Sequence, residues 1–76
     1  MIVPDEELRN RLIEQARAVA LERGWLWLEP VEVTAEADGL EAVWVVRTNT
    51  LSLGASVRVV FRRADITLVR AGYLPR

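Results

Sequence analysis

The chain of 76 residues contains no cysteine, no histidine and no lysine. Each absence removes a class of chemistry. Without cysteine there is no disulfide, no thiolate ligand and no thiol nucleophile. Without histidine the commonest general base and metal ligand is missing. Without lysine there is no Schiff-base chemistry. All ten positive charges are arginine, a bias that a GC-rich genome explains more simply than function does. Long apolar runs are also missing. The longest, Trp25–Leu28 and Ala42–Val46, fall far short of the about 20 residues that cross a bilayer. The opening MIVPDEEL is acidic and has no apolar leader, so a cytoplasmic setting is expected.

The carboxylates that remain do not assemble into a catalytic pattern. Glu32 and Glu36 share a strand face but stand about 13 Å apart by strand rise, beyond the about 5–9.5 Å of a glycosidase pair. Ser52 and Ser56 have no visible base. No spaced Asp loop for a cation occurs. The chain is therefore expected to be no enzyme, and to carry no cofactor and no metal.

Hydrophobic residues make up 51% of the chain and charged residues 28%, which is not a disordered composition. One domain is the only sensible count, spanning 1–76. A domain this small buries only about 60% of the surface its unfolded chain exposes. Such chains often rely on a disulfide, a metal or a partner subunit, and here the partner is the aid left open. The net charge is −1, but the halves differ. Residues 1–38 carry nine acids and four Arg, or −5; residues 39–76 carry two acids and six Arg, or +4. An acidic helix and first strand that neutralise a basic sheet account for this.

Pro4 opens a helix, where its missing N–H costs nothing. Asp5, Glu6 and Glu7 suit the positive end of the helix dipole. Leu8, Leu12, Ile13, Ala16, Val19 and Ala20 then recur at helix spacing, and Gly24 stands where a left-handed cap is expected after Arg23. Trp25-Leu26-Trp27-Leu28 follows; one Trp is expected to plug the core and the other to be partly exposed. The first strand, Val31–Glu36, alternates apolar and polar, and Pro30 before it suits an edge. Ala37-Asp38-Gly39 reads as an Asp-Gly hairpin turn. The second strand, Ala42–Thr48, is apolar on both faces. The third, Ser56–Arg63, sets Val57, Val59 and Phe61 against Arg58, Val60 and Arg62. The fourth, Ile66–Tyr73, has no clear polarity.

The expected fold is α+β: one N-terminal helix packed on a four-stranded antiparallel β-meander, α-β-β-β-β. Its core is expected to set Leu8, Leu12, Ala16 and Val19 against Val31, Val33, Trp44, Val46, Val57, Val59 and Phe61. One helix covers one sheet face. Val43, Val45 and Val60 on the other face should therefore meet water or another chain, rimmed by Arg58 and Arg62. Turn chemistry is broken at two places. Leu51, Leu53 and Ala55 stand in a loop that favours small polar residues. Ile66 follows Asp65 where β-branching resists a positive φ.

These residues (Leu51, Leu53, Ala55, Ile66, Val43, Val45, Val60, Arg58 and Arg62) form the expected interface. The first reading is a non-enzymatic self-assembly domain, a symmetric homo-oligomer. Because apolar residues break local turn rules, an engineered origin is one account of them. The second reading is a bacterial binding module of immunity or inhibitor type acting on another protein. The third is anion or nucleic-acid binding by Arg47, Arg58, Arg62 and Arg70, against which Glu32 and Glu36 on the same face would repel phosphate.

Ala42-Val43-Trp44-Val45, followed by a hairpin at Asp65-Ile66, resembles small bacterial domains in which a helix precedes a β-meander. These are the immunity proteins with a nuclear transport factor-like fold and the PepSY-like domains, which often show an Ala-Trp-x-Val strand and an Asp-Gly turn. The resemblance covers about half the chain and implies a non-catalytic protein-binding domain. The departures from it fall at Leu51–Ala55 and Ile66.

Overall fold

The computed structural model describes residues 2–51 and 54–75. It holds helix α1 (Glu6–Glu22) and strands β1 (Val31–Asp38), β2 (Glu41–Thr48), β3 (Ser56–Arg62) and β4 (Leu68–Leu74). The strands form one antiparallel sheet in the order β1-β2-β3-β4, the α-β-β-β-β arrangement that the sequence pattern implies.

Helix α1 begins two residues after Pro4 because Asp5 caps it. Asp5 is extended, and its carboxylate accepts the Leu8 N–H at 2.8 Å, satisfying one of the donors that a helix start leaves open. The helix ends in a Schellman motif. Gly24 takes φ +72, its N–H bonds the Leu21 carbonyl and the Trp25 N–H bonds the Ala20 carbonyl. The cap thus aims Trp25 back at the core.

The helix packs its Leu12, Ala16 and Ala20 onto Trp44, Val46, Val57, Val59 and Phe61, all buried. Val19 is not in this cluster and is only half-buried; Ala20 takes the place expected of it. Trp25 and Trp27 both pack against the core and both stay partly exposed, where the expectation was one buried plug and one partly exposed ring. The Trp25 ring stacks on Tyr73 of β4 at 5.5 Å, and the Arg23 guanidinium lies over the same Trp25 ring at 5.2 Å from its centroid. Arg17 lies over Trp27 in the same manner. The intervening Leu26 and Leu28 point outward, because an extended segment alternates its side chains.

The β1–β2 connection is shorter than the expected Ala37-Asp38-Gly39 turn. Asp38 pairs with Glu41 inside the ladder, leaving Gly39-Leu40 as a two-residue loop. Gly39 has φ +66 and Leu40 does not share it, which suits a type II′ hairpin with Gly first. Leu40 is left fully exposed.

Strand β4 starts at Leu68, two residues later than expected. Its register against β3 shifts between Val60 and Phe61. Past this irregularity Ala71 and Tyr73 face the helix-side core, while Val69 packs with Val43, Val45 and Val60 on the opposite face.

Candidate interaction surfaces

The sheet face away from the helix is not the bare patch that the strand pattern implied. Val43, Val45 and Val60 are 1–2% exposed, and the chain covers them itself. The register sets Glu36, Arg47, Arg58, Arg62 and Arg70 around them. The long side chains of these residues tie across the strands. Arg47 donates to Glu36 at 2.7 Å, and Arg58 reaches the same carboxylate at 3.8 Å. Arg62 bonds Glu41 at 3.0 Å and approaches Asp65. Arg70 of β4 meets Asp38 of β1 across the full width of the sheet. Val69 of β4 packs against the valines, and the ion-paired side chains that ring them complete the cover. Val43, Val45 and Val60 are thus interior residues in the single chain, and Arg58 and Arg62 are part of their cover.

The charge lattice shifts its members. The Arg47 guanidinium, then the Thr34 hydroxyl, donate to Glu36 and hold its carboxyl below the usual glutamate range. Glu41 beside Arg62 raises the guanidinium further above its ordinary value. The Thr67 hydroxyl and N–H donate to Asp65 and lower its carboxyl.

Ala55 is buried, and its carbonyl accepts the Asn49 side-chain amide at 3.0 Å. Asn49 has φ +54, a backbone state that Asn tolerates better than most residues. Ile66 has φ +58 and packs, half-buried, against the helix-side core, so its apolar side chain has a use within the chain itself. Burying its side chain offsets a left-handed backbone that costs roughly 1–2 kcal/mol. Ile66 also belongs to the β3–β4 turn, at the far end of β3 from the Leu51 loop, so the two could not form one patch. Leu53 lies outside the described residues.

Apart from Leu21 on α1 and Leu68 on β4, the exposed large apolar residues among those described fall at two places. One is the end of the sheet that holds the β2–β3 loop. The Asn49 N–H bonds the Leu28 carbonyl at 3.0 Å, which fixes the Leu26–Leu28 segment beside the loop. Ser56, next to Ala55, pairs with Leu74. Leu26, Leu28, Leu51 and Leu74 are thereby collected at one end, with Leu51 and Leu74 the most open at 84% and 68%. The pattern of the sequence had shown Leu51 and the Leu26–Leu28 alternation, but not Leu74, which reads as a chain tail. The second place is a groove of about 980 Å³ along β1, lined by Ile2, Val3 and Leu40 among others.

Among the described residues no cluster of three potential metal ligands occurs, and no helix is long and apolar enough to cross a membrane. The chain matches no protein-family model, no curated protein and no solved structure.

Proposed function

We propose that the chain is a non-catalytic interaction domain that self-associates as a symmetric homo-oligomer through its leucine-bearing end. The observation that carries this is the gathering of Leu26, Leu28, Leu51 and Leu74, all exposed, at one end of a domain whose two sheet faces are already covered. Covering a leucine fully is worth about 1.5–3 kcal/mol. A twofold contact counts each side chain twice. Partial coverage of the four is then of the same size as the association cost of about 4–15 kcal/mol, so a micromolar oligomer, which needs a surplus of about 8 kcal/mol, must also bury the surface around the leucines.

The sheet face contributes through its rim of charge rather than through its valines. This differs from an interface built on Val43, Val45 and Val60. The arginines proposed for anion binding are each within reach of a carboxylate, so a phosphate would have to displace existing partners.

Sedimentation at tens of micromolar tests the proposal. The expected result is an oligomer that Leu51→Ser with Leu74→Ser dissociates while the urea midpoint of the monomer stays in place. A monomer at that concentration overturns it. So does a double substitution that unfolds the chain, because the leucines would then be core.

A further inference from the structure

Strand β1 is an edge, and the backbone it turns outward can be read from the hydrogen bonds. The Arg63 N–H bonds the Ala42 carbonyl, so Ala42 and the alternate residues of β2 aim their backbone at β3. Val43, Val45 and Arg47 then aim theirs at β1, where their partners are Glu36, Thr34 and Glu32. By alternation, Val31, Val33, Ala35 and Ala37 direct N–H and C=O away from the sheet. The Arg9 guanidinium donates to the Val31 carbonyl at 3.3 Å, which agrees with that assignment and closes the edge at its start. From Val33 to Ala37 the edge has no backbone partner among the described residues. This is a stretch of about 13 Å by strand rise.

Natural edges are usually guarded by Lys, Pro or a covering segment, because an open edge templates another strand. Here the middle of the edge carries Val33, Ala35 and Ala37 on the helix side. The small alanines leave room, and Ile2, Val3 and Leu40 stand beside them as exposed apolar walls. On the other side the strand carries acids at alternate positions: Glu32, Glu36 and Asp38. Glu36 and Asp38 are matched by arginines of this chain, whereas Glu32 has no ion partner among the described residues. Of the charged residues that line the groove, Glu32, Glu36 and Glu41 outnumber Arg63, a net of −2.

Those charges decide between occupants. A second copy pairing β1 with β1 antiparallel about its centre would set acid against acid. Centred on Ala35, Glu32 faces Asp38 of the other copy; centred on Thr34, it faces Glu36. Like charges directly opposite destabilise a strand pair. We infer that the β1 edge accepts an extended segment of another protein in which apolar residues alternate with basic ones. The apolar side chains face Ala35, Ala37, Ile2 and Leu40, the basic ones face Glu32, and the main chain bonds Val33, Ala35 and Ala37. This is strand addition, in which backbone bonds give affinity and alternate side chains give selectivity. The surface lies along β1 and is separate from the leucine-bearing end.

The test uses the full chain and two labelled, end-blocked seven-residue peptides, one alternating valine with lysine and the other valine with glutamate, read by fluorescence anisotropy. The expected result is that the lysine peptide binds, and that added salt weakens it. Ala35→Pro removes an outward N–H without breaking a β1–β2 bond, and is expected to weaken binding at least about tenfold. Glu32→Arg, an exposed change that leaves the ladder intact, is expected to reverse the preference in favour of the glutamate peptide. Circular dichroism checks that both variants are folded, and if Ala35→Pro unfolds, the Glu32→Arg reversal alone decides. No binding at millimolar peptide overturns the inference, as does equal binding of both peptides or a preference that Glu32→Arg leaves unchanged. An oligomer that folded Ala35→Pro dissolves, and Leu51→Ser with Leu74→Ser does not, would seat a second copy on the edge and overturn it as well.

Discussion

Ile66 illustrates two demands on one residue. Its backbone sits at φ +58, where β-branching is unfavourable, while its side chain packs on the core. The clash with turn chemistry was legible in the sequence, and the burial was not. A single strand pattern assigns residues to faces, but Ile66 precedes β4 and obeys no alternation. The two demands separate by substitution. Ile66→Ala keeps the unfavourable backbone and loses the packing, so it is expected to cost about 2 kcal/mol for a half-buried side chain. Ile66→Gly loses the same packing but relieves roughly 1 kcal/mol of left-handed strain. Glycine is therefore expected to be the more stable of the two by urea denaturation, the reverse of the order at ordinary positions. If alanine is the more stable, the left-handed backbone is not what the residue endures. Asn49 answers the same problem differently: it takes φ +54, and its amide bonds the buried Ala55 carbonyl. Leu51, two residues on, was legible as an exposed apolar residue in a loop, and it is one.

At the scale of elements, the helix and the first three strands were readable from their periods or, for β2, from its apolar run between turn residues. Leu8, Leu12, Ala16 and Ala20 recur every four residues, β1 and β3 alternate, and β2 is a short apolar run of strand length. Within the helix the choice of Val19 over Ala20 went astray, since both fall near the apolar stripe and the larger side chain is the natural guess. The helix in fact approaches the sheet over alanines: Ala16 and Ala20 are both fully buried. Close approach leaves no space to fill. Ala16→Leu is accordingly expected to destabilise by about 1–3 kcal/mol through overpacking, whereas Ala18→Leu on the exposed side is expected to stay within about 0.5 kcal/mol. Equal effects at the two positions, measured as shifts of the urea midpoint, would mean that the helix does not rest on Ala16. Strand β4 could not be read for a physical reason. The register shift beside Val60 breaks the period of two, so Val69 faces the valines and Ala71 and Tyr73 face the helix. Any alternation fitted across the whole segment fails.

At the scale of the whole molecule, β1 is where the acidic and basic halves of the chain meet in ion pairs. Glu36 and Asp38 from the acidic half bind Arg47, Arg58 and Arg70 from the basic half. Pairing of Glu with Arg across strands was legible, but its consequence was not, because a strand pattern says which face a side chain leaves and not how far it lies down. The ion-paired side chains, with Val69 packed beside the valines, make the charged face the lid of a second, smaller core, and that is why Val43, Val45 and Val60 need no partner subunit. The lid gives stability a dependence on pH with a definite sign. Hydrogen bonds from Arg47 and Thr34 depress the Glu36 carboxyl in the folded chain. The unfolded chain titrates near the ordinary glutamate value of about 4.3. Between the two values the unfolded state binds more protons, so stability rises with pH across that window. The contribution is complete above the unfolded value and is lost as pH falls through the folded one. Glu36→Gln keeps the volume of the side chain and its cover over the valines while removing the charge. Urea midpoints measured from about pH 7 down to about pH 2 are expected to show Glu36→Gln less stable at neutral pH. Its acid limb should be shallower, and it should converge on the original chain at the lowest pH. Curves that stay parallel across the whole range would show that the valines are covered by side-chain bulk alone, with the Glu36 charge contributing nothing to holding the lid closed.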